Sequence, residues 1–287
     1  MIIFTVPKPF IGKFRIIQEN AIDSWLSIKP KPKIILIGDE VGISQVAKSK
    51  HLIQIKKIKK NINGTPLLNN IFSQVQKNSK DKVFMYINTD IILLKSPNSC
   101  IKILINQFDR FLAVGKRYEM DLEEKIDVED VQKIANNTNL KQKSNSWMDY
   151  FIFTHDVFDS IPPFALGKTF WDKWLVWYAL QKKIPTIDIT SELDVIHQTH
   201  SYSMNRRTNM HSVWAGDEAL NNLRLAGGWS HGATIGDTNF TLIGETLYTK
   251  KPKLQIRSFI LDIFPVLWPI FIKIRLMRER FLLIINK

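Results

Sequence analysis

The sequence contains a single cysteine, Cys100, among 287 residues. One thiol cannot form an internal disulfide, so the fold does not depend on a disulfide framework. This usage fits a reducing compartment, and we expect the chain on the cytosolic side. The apolar run in Met1–Phe10 is too short for a signal peptide, and its two prolines favour a first β-strand instead.

The sequence also lacks a long apolar run, an internal repeat and a low-complexity tract. Its most apolar region, residues 258–285, is interrupted by Asp262, prolines and basic residues, so its runs are too short to cross a bilayer. With 45% hydrophobic residues, the chain can bury the core of one large domain. We place that domain at residues 1–249 and a basic, apolar helical tail at residues 250–287.

Acidic residues are fewer than basic ones, 27 against 40, and the formal net charge is +13. Such a charge favours a polyanionic partner: phosphates, a phospholipid surface or nucleic acid. No nucleic-acid-binding motif accompanies it, so nucleic acid is not the expected partner.

The tail has two interpretations. Helices at residues 254–263 and 270–284 either pack on the domain or on a second subunit, or lie on an anionic membrane surface. In the second case apolar side chains from residues 254–287 insert and the basic ones meet the headgroups. We favour the membrane surface, which would make the protein peripheral on the inner face of a membrane.

Apolar runs alternate with helical patterns. They predict strands at residues 2–6, 33–37, 83–87, 111–116, 149–154 and 186–189, with an edge strand or ordered loop at 51–58. Helices are predicted at residues 18–27, 42–49, 65–78, 128–136 and 171–181, the third of these with Thr65 as N-cap and Pro66 at its first position. This alternation indicates an α/β fold, a Rossmann-like, mostly parallel sheet with helices on both faces. Residues 190–244, rich in His, Asn, Gly, Ser and Thr, are typical of an active-site wall built from loops.

Polar residues follow the predicted strands, and ligands in open α/β sheets bind beyond the carboxyl ends of the strands. The first strand leads into Thr5–Lys8, the second into Gly38–Glu40 and the central one into Asn88–Asp90, while His197 and His200 follow a later strand. Carboxylates, imidazoles and a lysine at one edge suit a hard divalent cation that carries a diphosphate.

The side chains of Asn88 and Asp90 are two residues apart after a buried strand, so both can face one cation. Mg²⁺ or Mn²⁺ there would bridge phosphates and neutralise charge on a leaving nucleoside diphosphate. Alternatively, both are ordinary turn residues that end a strand.

Two aspartates are candidate catalytic residues. Asp172, in the first turn of a predicted helix, is either a base that takes a proton from an acceptor hydroxyl or a carboxylate that stabilises the helix dipole. Asp149 either caps a turn or faces the same cleft. One of His197 and His200 completes the metal shell or contacts a phosphate, and their spacing does not choose between them.

Nine phrases in a fixed order extend over roughly residues 3 to 203. Through them the chain resembles the GT-A glycosyltransferases of the nucleotide-diphospho-sugar transferase superfamily. The phrases are FTVPKPF, IQENAIDSW, IILIGDE, NGTPLLNNIF, YINTDIIL, FLAVGKRYEMDL, MDYFIF, IPPFALGKTFWDKWL and IHQTHSY.

The resemblance implies a transferase that uses a UDP- or GDP-sugar with Mn²⁺ or Mg²⁺ and acts on a glycan or lipid-linked acceptor. Asn88-Thr89-Asp90 takes the place of the family's DxD motif, with Asp90 as the ligand. The asparagine removes one negative charge, which weakens metal affinity or shifts the load to a histidine. Because this motif is incomplete, a non-catalytic protein that binds nucleotide or glycan is the alternative.

The resemblance also assigns the other site residues. The nucleoside and phosphate positions fall on Thr5, Pro7, Lys8, Asp39, Gly64, Thr65, Asn88 and Thr89. Asp172 matches the base of inverting members, and His197 or His200 matches a late histidine that reaches the metal.

Overall fold

The computed structural model describes residues 1–77, 79–199, 213–251 and 262–264. His200 and both predicted tail helices, apart from residues 262 and 263, lie outside these ranges. The strands are β1 (Ile2–Thr5), β2 (Lys33–Ile37), β3 (Ile53–Ile55), β4 (Val83–Ile87), β5 (Ile91–Leu93), β6 (Leu112–Val114), β7 (Tyr118–Met120), β8 (Tyr150–Thr154), β9 (Thr186–Asp188), β10 (Val195–Gln198), β11 (Phe240–Ile243) and β12 (Thr246–Thr249). The α-helices are α1 (Gly12–Leu26), α2 (Ile43–Ser49), α3 (Leu68–Lys77), α4 (Asn98–Gln107), α5 (Val128–Asn137), α6 (Trp171–Gln181) and α7 (Asp217–Ala226).

Nine strands form the central sheet in the order β12-β11-β9-β6-β8-β4-β1-β2-β3. Five of its strand pairs are parallel, including β4-β1 and β1-β2, whereas β8 runs antiparallel to both of its neighbours and β11-β12 is a hairpin. The predicted α/β class with a mostly parallel sheet is therefore confirmed.

Side chains of each strand alternate between the two faces of the sheet, and helices cover both. On one face, Phe4 and Tyr86 share a core with α3 and α6. On the other, Ile3 and Met85 share a core with α1, α2 and α4. Because both faces are buried, the strands read as continuous apolar runs, which made β1, β2 and β4 easy to recognise in the sequence.

A second, three-stranded sheet has the order β5-β10-β7. Its buried residues, including Ile92 and Ile196, pack against Val131 of α5. The interpretation of residues 190–244 as loops is wrong for β10, α7 and β11. The two strands have only four residues each, too few for a periodic pattern to stand out.

The third predicted helix begins at Leu68, so Thr65 is not its N-cap and Pro66 is not its first residue. Asn61 Oδ1 accepts hydrogen bonds from the backbone N–H groups of Asn63 and Thr65, which holds these residues in a turn. Pro66 then forms a β-bridge with Lys60 instead of entering the helix. Helix α1 begins at Gly12, six residues before its predicted start.

Both described segments of the tail contact the domain. Lys250 Nζ donates hydrogen bonds to the carbonyl oxygen of Ile235 and to the hydroxyl of Thr238. The Asp262 carboxylate accepts hydrogen bonds from the backbone N–H groups of Trp229 and Ser230. The adjoining side chains of Ile263 and Phe264 are exposed. Within the described residues, no helix is both long enough and apolar enough to span a bilayer.

Candidate active site

A cleft of about 440 Å³ opens where β1, β2 and β4 end. Its walls include Pro7, Lys8, Glu40, Asn88, Asp90 and Trp171. The Trp171 ring packs edge-to-face on Tyr86, with their centroids 5.5 Å apart, which fixes the floor of the cleft. The predicted meeting of the three strand ends is therefore found in the structure.

The small sheet brings His197 next to Asp90. In the antiparallel pair of β10 and β5, His197 lies opposite Ile91, the residue that follows Asp90. His197 Nε2 is 3.5 Å from Asp90 Oδ2, and the imidazole is buried. Gln198 donates its backbone N–H to the carbonyl oxygen of Asp90 at 3.1 Å, which fixes the backbone of that turn. Two of the predicted metal ligands thus converge.

Glu119 lies on the other side of His197, because β7 pairs with β10 and places Glu119 opposite His197. Glu119 Oε1 is 3.9 Å from His197 Nδ1 and 3.3 Å from Arg117 Nη2, while Oε2 is 2.8 Å from Lys143 Nζ. Burial works against ionisation of Glu119, but the hydrogen bond from Lys143 and the nearby positive charges lower its pKa. A carboxylate therefore faces the imidazole edge opposite Asp90.

Asp149 lies just before β8 and is buried with Arg117. Its Oδ2 accepts a hydrogen bond from Arg117 Nη1, and its Oδ1 accepts one from Asn88 Nδ2 at 2.9 Å. Burial of the Arg117 guanidinium works against its charge, but the charges of Asp149 and Asp90 raise its pKa. Asp149 thus faces the site while both of its oxygens contact protein groups.

Asp172 is partly buried in the first turn of α6. Its Oδ1 accepts a hydrogen bond from the backbone N–H of Lys173 at 2.9 Å. Burial raises the pKa of Asp172, the Lys173 charge and N–H oppose this, and the negative charge of Asp149 adds to it. The residue before it, Trp171, lines the cleft. Asp172 therefore follows a wall residue of the cleft without being one itself, and its pKa is raised.

Lys8 lies at the mouth of the cleft. Its backbone N–H donates to Gln18 Oε1 at 2.7 Å, and Gln18 Nε2 donates back to the Lys8 carbonyl oxygen at 3.0 Å. The ammonium lies 4.4 Å from the centroid of the Phe14 ring. Loss of water around this ammonium lowers the pKa of Lys8, and the negative charge of Asp90 opposes that shift. The fixed backbone holds a cation at the cleft.

Several residues predicted to bind the nucleotide lie away from the walls. Thr5 is fully buried, and its hydroxyl is 2.7 Å from that of Thr89, which does line the cleft. Asp39 is exposed and lies 3.4 Å from Lys60 Nζ, whereas its neighbour Glu40 lines the cleft. Neither Gly64 nor Thr65 is among the wall residues.

Arg117 and Glu119 are the site residues that the sequence did not single out, although both stand in the phrase FLAVGKRYEMDL. They flank Tyr118 in β7, a strand of three residues. Their alternation with apolar side chains was the available signal. This alternating run was too short to distinguish a strand from the polar region that follows it.

No model of a known protein family matches the chain, and no curated protein matches it in sequence. Several solved structures are similar to it in fold. Staphylococcus aureus TarS has a TM-score of 0.45 at 9% identity, over 69% of this chain but only 36% of TarS. Other TarS structures contain UDP or UDP-GlcNAc.

Two further solved structures are similar to the chain in fold. The mannosyltransferase PcManGT from Pyrobaculum calidifontis, in complex with GDP-Man and Mn²⁺, has a TM-score of 0.43 at 7% identity, over 70% of this chain and 58% of that one. A protein from Desulfovibrio desulfuricans G20, provisionally assigned as a nucleotide-diphospho-sugar transferase, has a TM-score of 0.41 at 10% identity, over 78% and 95% of the two chains. At 7–10% identity, the likeness to these three structures is one of fold alone.

Arg117→Gln tests whether the buried guanidinium holds the site together. Removing it leaves the buried Asp149 carboxylate without its cation and takes one of two cations from the half-buried Glu119, so we expect a loss of about 3–5 kcal/mol in the free energy of unfolding, measured by urea denaturation. Arg15→Gln is the matched control, because Arg15 forms an exposed pair with Glu19 and its loss costs at most about 1 kcal/mol. Equal stability of the two variants would contradict this role.

Proposed function

We propose that the protein is a glycosyltransferase that moves a sugar from a nucleotide-diphosphate donor to an acceptor hydroxyl. The observation that carries the proposal is that His197 lies 3.5 Å from Asp90, a wall residue of the cleft at the carboxyl ends of β1, β2 and β4. That edge is where open α/β sheets bind nucleotides. The donor class comes from this geometry together with the resemblance in sequence.

A carboxylate oxygen of Asp90 and an imidazole nitrogen of His197 are suitable ligands for a divalent cation. Among the described residues, no three His, Cys, Asp or Glu side chains are close enough to hold a metal ion by themselves. Mg²⁺ and Mn²⁺ nevertheless bind readily to one or two protein groups when substrate phosphates and water supply the other ligands. Asp90 and His197 would hold the ion, and it would neutralise charge on the nucleoside diphosphate.

Charge and shape divide the cleft into a nucleoside part and a phosphate part. We place the nucleoside along Pro7, Gly38 and Glu40, which follow β1 and β2. We place the diphosphate between Lys8 and Asp90, where the lysine ammonium complements its charge. Burial lowers the pKa of Lys8, and the negative charge of a bound phosphate would raise that pKa again.

The base is assigned to Asp172 rather than to Asp149. The charge of Asp149 is balanced by Arg117, and its other oxygen accepts from Asn88. Asp172 accepts the backbone N–H of Lys173, and its raised pKa makes its carboxylate a stronger proton acceptor.

In the proposed step, Asp172 takes the proton of an acceptor hydroxyl while that oxygen bonds to the anomeric carbon. The bond from this carbon to the diphosphate oxygen breaks, and the electron pair leaves with the nucleoside diphosphate. This displacement inverts the anomeric centre. The glycan or lipid-linked acceptor, and the membrane surface for residues 254–287, stay predictions from the sequence.

Donor binding is tested by thermal shift. We expect a UDP- or GDP-sugar with Mn²⁺ to raise the Tm of the wild type, since a ligand that binds only the folded state stabilises it. Asp90→Asn should abolish the shift. Asp130→Asn should keep it, because Asp130 is an exposed partner of Lys133 on α5. The absence of a shift across the common donors would contradict the proposal, and a shift without donor hydrolysis or transfer would favour a non-catalytic binding protein.

Asp172→Asn tests the base. We expect kcat to fall by about 10²–10⁴-fold while the donor-induced shift in Tm stays. In the wild type, kcat should decline as the pH falls through the raised pKa of Asp172, and the variant should lack this acid limb.

The free energy of unfolding should depend on pH in the opposite direction to kcat. A folded-state pKa above the unfolded value makes wild-type stability decrease as the pH rises between the two, so the uncharged variant should melt at a higher temperature at neutral pH. An unchanged kcat would remove Asp172 from the mechanism.

A further inference from the structure

Asn88 occupies the first position of the metal motif, yet its side chain bridges two protein groups. Tyr86 OH donates a hydrogen bond to Asn88 Oδ1 at 3.1 Å, and Asn88 Nδ2 donates one to Asp149 Oδ1 at 2.9 Å. The backbone N–H of Asn88 donates to the carbonyl oxygen of Asp149, also at 2.9 Å. An ionised carboxylate can only accept hydrogen bonds, so this bridge requires a donor at position 88.

The bridge continues through charged side chains to the pair of His197 and Asp90. Asp149 accepts from Arg117 Nη1, and Arg117 Nη2 lies 3.3 Å from Glu119 Oε1. Glu119 Oε1 lies 3.9 Å from His197 Nδ1, and His197 Nε2 lies 3.5 Å from Asp90 Oδ2. Asn88 and Asp90 are therefore joined twice, once through the backbone of the turn and once through this series of side chains.

We propose that Asn88 is a positioning residue whose amide holds Asp149 and, through Arg117 and Glu119, the His197–Asp90 pair. The proposal rests on the function proposed above. It explains why the asparagine differs from the family's aspartate: a carboxylate at position 88 would face the Asp149 carboxylate across a distance of about one hydrogen bond, and like charges at that distance repel.

The proposal predicts that an aspartate at position 88 weakens Mn²⁺ binding, whereas completion of the metal motif alone would strengthen it. If Asn88 were a weak metal ligand, Asn88→Asp would add a negative charge to the ion's shell and tighten Mn²⁺ binding. If Asn88 is the donor of a bridge, the same substitution displaces Asp149 and loosens the pair that would hold the ion. The two roles predict opposite signs for one substitution.

A reciprocal exchange tests this directly with three variants of the full chain: Asn88→Asp, Asp149→Asn, and both together. In the double variant the amide at position 149 donates to the carboxylate at position 88, while its oxygen still accepts from Arg117. The net charge of the double variant equals that of the wild type. Asn106→Asp, at an exposed position on α4, adds the same charge as Asn88→Asp without touching the site.

We expect each single exchange to lower kcat by at least about tenfold, because small displacements of catalytic groups are costly. The double variant should recover most of that loss together with the Tm, and Asn106→Asp should match the wild type. The apparent Mn²⁺ affinity and the donor KM, measured in the same assays, separate weaker metal binding from weaker donor binding.

A tighter-binding, faster Asn88→Asp variant would overturn the proposal, as would a double variant no better than the worse single one, or one that fails to fold. If the wild type turns over no donor, the function proposed above fails. Recovery of Tm in the double variant would then still establish the bridge, and its absence would refute it.

Discussion

The site depends above all on the register of β10 between β5 and β7. Backbone hydrogen bonds in this small sheet place His197 opposite Ile91 on one side and opposite Glu119 on the other. Asp90 directly precedes Ile91, so the backbone pairing of the strands is enough to bring the imidazole next to the carboxylate. A shift of one residue would turn His197 to the other face of the sheet and leave Asp90 without it.

Charge balance is the second constraint. Asp90, Asp149 and Glu119 bring three carboxylates to one region, and Arg117 lies among them with its guanidinium buried. Buried charges of one sign are costly unless partners compensate them. Arg117 and Lys143 therefore let the chain keep acidic groups around the cleft in the absence of a ligand, while Asp90 stays open enough, at 20% side-chain exposure, to meet one.

The sequence predicted the parts of the fold that local patterns determine. Continuous apolar runs marked β1, β2 and β4, and the Trp-rich pattern marked α6 with its observed bounds. Asp90 and His197 were predicted together as residues that follow strands, which is right for Asp90 after β4, whereas His197 lies inside β10. Thr5 and Asp39 show what the sequence could not predict. Whether a polar residue at a strand end points into the cleft depends on the alternation of side chains along the strand and on the turn that follows it. At Gly38, with φ of +118°, the chain turns so that Glu40 and not Asp39 reaches the cleft.

The role of Arg117 could not be predicted, because it arises from contacts between residues 32 positions apart.

The central claim, that a cation held by Asp90 and His197 carries the donor diphosphate, is tested most directly by anomalous diffraction from crystals grown with Mn²⁺ and a nucleoside diphosphate. The account predicts one strong manganese peak within coordination distance of Asp90 Oδ2, His197 Nε2 and phosphate oxygens. A nucleotide bound in the cleft with no manganese at that pair, or a manganese peak elsewhere on the chain, would contradict it.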